Sequence, residues 1–380
     1  MGIIVISYGR SYADNLKVHF IDVRQGDAIL IQYGGENYLI DSGKNLSTDK
    51  LIYYVDSVGV THLDACLITH PDRDHYGEFE DLVESGLFTI DRFITNKTVS
   101  TNSTYITLMN LLLSENITVD SVDYEDDLNW SVTTDILSPN YNNGFSGDND
   151  NSIVIKMSVG EVDLLLMGDS EEQNNQYLLD TYDLDIEVLK VSHHGGVTGT
   201  SEAFVTGTTP AISVICSGSN SYGHPSPVVI DLLQNAESLI YSTADDWNTW
   251  WINGGNGSDD GSEDDDVILE TDGENIWVNG ELVWYSYSND NDHFENMSLN
   301  IAPNPIKHSA RIHYSIVKNN HVQLDIYDIR GRLVQSVLNQ YQNVGNYCVE
   351  IGVEGLRPGI YFCKLQQGDE EEIHKLVLIK

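Results

Sequence analysis

The stretch Leu63-Asp64-Ala65-Cys66-Leu67-Ile68-Thr69-His70-Pro71-Asp72-Arg73-Asp74-His75-Tyr76-Gly77 sets the terms for the whole chain. An apolar run stops abruptly, and two histidines and two carboxylates follow within six residues. A short, mostly apolar run without polar alternation suits a strand covered on both faces, so Leu63 to Thr69 reads as buried β-structure. Pro71 then ends the ladder and turns the chain into a loop. Open α/β sheets place their chemistry in loops at the carboxyl ends of such strands, and here four potential metal ligands arrive one and two residues apart. An isolated Asp-x-Asp-His would be read as solvated turn formers. Directly behind a hydrophobic strand, with further histidines and aspartates in similar places downstream, the cluster reads as a metal site whose context has to confirm it.

Charge limits what such a site can serve. Of the 380 residues, 59 are Asp or Glu and 19 are Lys or Arg, a net charge of −40. That field repels a polyanion, so nucleic-acid binding would depend on metal ions and local basic groups. The charge is also uneven: −38 over residues 1–289 (10 basic, 48 acidic) and −2 over residues 290–380 (9 basic, 11 acidic), which marks two modules joined near residue 290. The length suffices for two domains. No segment approaches the ~20 apolar residues of a membrane-spanning helix, so no transmembrane segment is expected. Cys66 and Cys216 sit in apolar runs and read as small buried hydrophobes, while Cys348 and Cys363, in strands taken as neighbours, are equally compatible with a disulfide and with free thiols.

Strands are predicted at Lys17–Val23, Ala28–Tyr33 and Tyr38–Asp41, the last two joined by a turn at Gly34-Gly35-Glu36-Asn37, followed by a helix from about Asp49 to Ser57. Further on, Val162 to Met167 delivers Asp169 behind Gly168, and Ile186 to Val191 delivers His193 and His194. Ala211 to Cys216 leads into a loop bearing His224, and helices are predicted near Thr104–Glu115 and Pro227–Ala236. An aspartate at a strand end is often only a helix cap, and a lone histidine is usually a surface or core residue. Their shared position at strand ends, together with the His70–His75 cluster, favours a site. Residues 245–266 read as an acidic insertion carrying Trp247, Trp250 and Trp251, and its acidic half reads as a solvated loop. Residues 1–16 read as a leader whose apolar core is too short for a complete signal peptide.

The stretch His70-x-Asp72-x-Asp74-His75 resembles the signature of the metallo-β-lactamase fold, in the variant of the ComEC-type competence hydrolases. Supporting matches come in the family's order: Asp22-Val23-Arg24-Gln25-Gly26-Asp27, Leu39-Ile40-Asp41-Ser42-Gly43, Leu166-Met167-Gly168-Asp169, Leu189-Lys190-Val191-Ser192-His193-His194-Gly195 and Tyr222-Gly223-His224-Pro225. The resemblance covers roughly residues 17–285 and implies an α/β fold, the αββα sandwich of two mixed sheets. It implies two divalent ions: His70 and Asp72 on one, Asp74, His75 and one of His193 or His194 on the other, with Asp169 bridging. Asp41 would brace the metal loop, Asn151-Ser152 would border the site, and His224 would contact substrate or complete the metal shell, so that Asp74, Asp169 and His224 are the catalytic candidates. Asp72 replaces a histidine of the wider fold and hardens the site, which makes manganese a rival to zinc.

Beyond a polar linker at 288–297, residues 298–380 show short alternating strands of the kind that build a small all-β, Ig-like sandwich. Ala302-Pro303-Asn304-Pro305, Leu324–Val334 and Leu356–Phe362 resemble the type A C-terminal sorting domain of the type IX secretion system. That resemblance implies export through the periplasm to the cell surface or outside, with the secretion machinery as a partner. The expected function is a secreted or surface metal-dependent hydrolase, a phosphodiesterase or nuclease acting on a small-molecule or nucleic-acid phosphodiester. The alternatives are a hydrolase of a small ester or lactone, and a surface binding protein with a structural metal site.

Overall fold

The structure is a computed structural model that describes residues 15–44, 50–244, 266–285 and 297–380, apart from 303, 307–308, 317, 343–344, 353–355, 369 and 380. Residues 1–14 of the expected leader, the tryptophan-rich part of the insertion and nearly all of the linker lie outside the described residues, while Leu16, placed at the leader's end, instead opens the strand Leu16–Phe20. The chain forms two compact units, residues 1–274 and 275–380.

Seven strands of one mixed sheet lie in the first unit, in the order Val267–Thr271, Leu16–Phe20, Ile29–Tyr33, Glu36–Ile40, Ala65–Ile68, Arg92–Asn96 and Thr118–Val122. The first pairings are antiparallel and those from Glu36–Ile40 onward are parallel. A second sheet of six strands runs Leu239–Ser242, Ile212–Ile215, Val188–Lys190, Val162–Leu166, Val154–Val159 and Thr133–Ser138.

The strands are apolar on both faces because both faces are covered. In Ala65–Ile68, Cys66 and Ile68 join a core with Leu51 and Val55 of the helix Lys50–Ser57, Phe79 and Leu82 of Phe79–Glu84, and Leu108 and Leu112 of Ser103–Ser114. Ala65 and Leu67, on the opposite face, are equally buried. The second sheet repeats the scheme: Leu165, Leu189 and Ile215 pack with Leu178, Phe204, Val229 and Leu233 of three helices, Glu172–Thr181, Glu202–Thr208 and Pro227–Asn235. The result is helix, sheet, sheet, helix: the αββα sandwich.

The second unit opens with the hairpin Asn275–Val278 and Glu281–Tyr285. It continues as a three-stranded sheet, Ser298–Ala302, Ser309–Ile316 and Gly345–Gly352, and a four-stranded one, Leu333–Gln342, Asn320–Asp328, Gly359–Gln367 and Glu370–Leu378. Ile312, Ile316, Leu324, Ile326 and Leu365 share their core, so this part is an all-β sandwich. Cys348 and Cys363 are not on neighbouring strands as expected. They belong to different sheets, and Cys363 is a buried free thiol whose pKa burial pushes up to about 12. Among the described residues no helix is long and apolar enough to cross a membrane.

Candidate metal centre

The two sheets of the first unit bring their strand ends together. Ile153 N–H donates to the Thr69 carbonyl at 3.0 Å between the sheets, and within the second sheet's rim His193 N–H donates to the Gly168 carbonyl at 3.1 Å. After Ala65–Ile68 the chain passes Thr69 and His70, then makes one short helical turn, Arg73–Tyr76, that carries Asp74 and His75. This loop is braced from beneath. Asp41, wholly buried, accepts from Thr69 N–H at 2.8 Å through Oδ1, and through Oδ2 from the Thr69 hydroxyl at 2.7 Å and His75 Nδ1 at 2.6 Å. On the other side Gly26, at φ +138°, lies so close that a Cβ would fall 2.4 Å from the Asp74 carbonyl oxygen. Only glycine fits that approach.

The proton positions follow from these contacts. His75 gives its Nδ1 proton to Asp41. His194 gives its own to the Cys216 carbonyl at 2.9 Å. The Thr69 hydroxyl already donates to Asp41, so it accepts from His70 Nδ1 at 3.2 Å. In the neutral ring, each imidazole with Nδ1–H behind it presents an Nε2 lone pair in front. The Nε2 atoms of His70, His75 and His194, together with Asp169 Oδ1, are buried without a hydrogen-bond partner among the described residues.

They converge on Asp169. Its Oδ2 lies 3.2 Å from His75 Nε2, 3.5 Å from His194 Nε2, 3.8 Å from His193 Nε2 and 3.9 Å from His70 Nε2. Asp72 Oδ2 stands 3.8 Å from His70 Nε2, and Asp74 Oδ2 3.6 Å from His194 Nε2. Most of these separations are too long for hydrogen bonds. They match the spacing of ligands about a shared cation, since bonds of about 2.0–2.2 Å place neighbouring donors somewhat over 3 Å apart. Two groupings stand out, His70 with His75 and Asp169, and Asp74 with His75 and His194. The donor set, imidazole and carboxylate, fits divalent zinc or manganese.

Without a cation, protons take the same places. Burial would lower the pKa of His194, but Asp169 and Asp27 overcome it and push it up to about 10. His75 is likewise raised well above the usual imidazole value, against burial, by Asp169 and Asp41. Asp169 is held well below the carboxylate range by His194, His75 and His70, although burial opposes this.

Sequence could not choose between His193 and His194, and the backbone turns them to different places. Both are left-handed, at φ 47° and 52°, a strained conformation. His194 points into the buried group. His193 stays partly exposed, with Nδ1 2.9 Å from Glu171 Oε1 and its ring 5.0 Å from that of His224. His224 is half-buried on a loop folded around Asn220, whose Oδ1 accepts from the main chain of Tyr222, Gly223 and His224. Burial, His193 and His194 lower its pKa, which leaves the ring neutral near pH 7. Ser152, as expected, borders the site, and its hydroxyl accepts from Asp169 N–H at 3.2 Å. Glu171, Asp27 and Lys190 also come to the centre and were not singled out from sequence. The signal available for the last two was a charge inside a buried motif.

Residues 21–106 match the family described as "Metallo-beta-lactamase superfamily", and residues 300–380 match "Secretion system C-terminal sorting domain". The chain is 28% identical to "ComE operon protein 3" of Bacillus subtilis (strain 168), over 60% of this chain and 32% of that protein. It is 28% identical to "Recombination protein 2" of Haemophilus influenzae, over 60% of this chain and 28% of that one. It thus spans about a third of the length of the curated relatives it matches. Among solved structures it resembles the metallo-beta-lactamase fold protein YhfI from Bacillus subtilis, at 13% identity and a TM-score of 0.43, over 60% of this chain and 96% of that one. The chain therefore joins a domain of the metallo-beta-lactamase superfamily, a hydrolase fold related here to ComEC-type competence proteins, to a secretion system C-terminal sorting domain.

Proposed function

We propose that the first unit is a two-metal phosphodiesterase acting outside the cell. The observation that carries this reading is the convergence of three buried Nε2 atoms, without hydrogen-bond partners among the described residues, on one buried carboxylate, Asp169. His70 and Asp72 would hold one ion, Asp74, His75 and His194 the other, with Asp169 between them. Bound divalent ions supply Lewis acidity and a hydroxide near neutral pH. The chain's own side chains do the rest. Asp41, Thr69 and the Cys216 carbonyl hold the Nδ1 protons so that Nε2 stays available. Neutral His224, at the rim beside His193, is placed to contact the substrate and to accept a proton there. The ComEC-type relationship supports a phosphodiester substrate, and the net charge of −40 favours a small one over long DNA. The sorting domain marks the chain for export, with the type IX machinery as the proposed carrier and the surface or extracellular space as the destination.

The test uses the full chain, stripped of metal and reloaded with Zn²⁺ or Mn²⁺. It is assayed on bis-(p-nitrophenyl) phosphate, linear DNA and a simple lactone. Metal-restored phosphodiester cleavage should fall at least about 100-fold in Asp169→Ala, the scale on which a group stabilising the transition state is felt. Lactone turnover alone would shift the function to small esters. Stoichiometric metal with no turnover of any substrate would leave a binding protein with a structural metal site.

A further inference from the structure

Behind the centre lies a pair of charges that the proposed chemistry does not use. Asp27 and Lys190 are 1% and 0% exposed, and the Lys190 ammonium donates to Asp27 Oδ2. Asp27 Oδ1 lies 3.3 Å from His194 Nδ1, and Oδ2 lies 4.0 Å from His75 Nδ1. Its main chain is engaged as well: the N–H donates to the Asp74 carbonyl at 3.2 Å, and the carbonyl accepts from Gly43 N–H at 2.7 Å. One residue therefore touches the metal loop, the bracing loop, an imidazole of the second sheet and a buried ammonium.

Burying two charges is a poor way to stabilise a fold, because desolvation offsets their attraction. Asp27 also stands within reach of the centre, grouped with Asp169 and His194 on one side and with Asp41 and His75 on the other. Its carboxylate faces the Nδ1 edges of His194 and His75, whereas Asp74 and Asp169 face Nε2, yet it lies within 4.8 Å of the Asp169 carboxylate, close enough to be drawn toward a bound ion. What sets Asp27 apart is Lys190.

We infer that Lys190 is a positioning residue: its ammonium takes the place of a cation on Asp27 and keeps that carboxylate out of the ligand set. Asp27 is left beside the Nδ1 edge of His194, backing the Cys216 carbonyl that takes its proton, so that Nε2 faces Asp74 and Asp169. This rests on the metal-centre reading given above.

The experiment compares wild type, Lys190→Met, Asp27→Asn and the double variant, each as full chain, metal-free and then titrated with Co²⁺. Affinity is read by competition with a chromophoric chelator, and the ligand set by the visible Co²⁺ spectrum. Lys190→Met should shift Co²⁺ affinity about 10–100-fold, the range for residues that orient ligands. Its spectrum should change as Asp27 joins the ligands. The double variant, with an amide at 27 and no ammonium to satisfy, should return to the wild-type spectrum. Unchanged affinity and spectrum in a folded Lys190→Met chain would make the pair merely structural and overturn the inference, whatever happens to Tm. A double variant that keeps the altered spectrum would overturn it too. Should Lys190→Met fail to fold, Asp27→Asn carries the test, and wild-type Co²⁺ affinity in it is the overturning result. A wild-type chain that takes up no Co²⁺ sinks the metal-centre reading itself, and this inference with it.

Discussion

Imidazoles that share a pocket with carboxylates give the metal-free chain a particular response to pH. Burial lowers the pKa of His194, yet Asp169 and Asp27 win and push it up to about 10, above the roughly 6.5 of an unfolded chain. A raised pKa stabilises the fold fully below the unfolded value, and that contribution is lost as pH rises through about 10. Asp169 works the other way, since its depressed pKa stabilises above the ordinary carboxylate range and is lost as pH falls. The chelator-treated chain should therefore have its highest Tm between about pH 4 and 6.5 and lose Tm steadily toward pH 10. A Tm in chelator that stays flat from pH 6.5 to 10 would refute the ionised pocket. The candidate residues His70, Asp74, His75 and Asp169 stood out in the sequence because such residues seldom follow a buried strand without a task. Asp27 and Lys190 were not, because nothing local reveals a partner 163 residues away. The different placement of His193 and His194 was hidden for another reason, since it depends on two backbone angles that neighbouring identical residues cannot signal.

The elements themselves were mostly readable, because strands buried on two faces must be apolar throughout. Those that escaped sequence are the ones where burial exerts least control. The edge strand Thr118–Val122 is polar and largely exposed, and the helix Glu202–Thr208 holds Gly207 and two threonines, with Ser201 as its cap. The loops depend on close backbone approach, which makes Gly26 the sharpest element-level test. Its φ and the nearby Asp74 carbonyl leave no room for a methyl group. Gly26→Ala should cost more than about 1 kcal/mol in urea unfolding and displace the metal loop enough to reduce bound metal in the same sample. Wild-type stability with full metal content would show that the loop yields there freely.

At the scale of the molecule, charge dominates. In the first unit Lys17, Lys50, Arg92, Lys97, Lys156 and Lys190 each sit against a carboxylate, so most basic side chains are already committed. A typical DNA-binding protein loses affinity as salt rises. Here the protein repels the polyanion, and screening removes the repulsion. The kcat/KM for linear DNA should therefore rise between about 10 mM and 150 mM NaCl, where the Debye length falls from roughly 30 to 8 Å. A steep fall over that range would reveal a basic groove that the described residues do not contain. The placement of the centre has a further consequence. His70, Asp72, Asp74 and His75 come from one sheet, Asp169 and His194 from the other, so any ion they share rivets two layers that meet only after both have formed. An ion present at a hundred times its Kd would secure that seam by about 2.7 kcal/mol. Metal starvation would then shorten the protein's survival against proteases as well as silence it, and the fraction still intact would record how much free metal its surroundings hold.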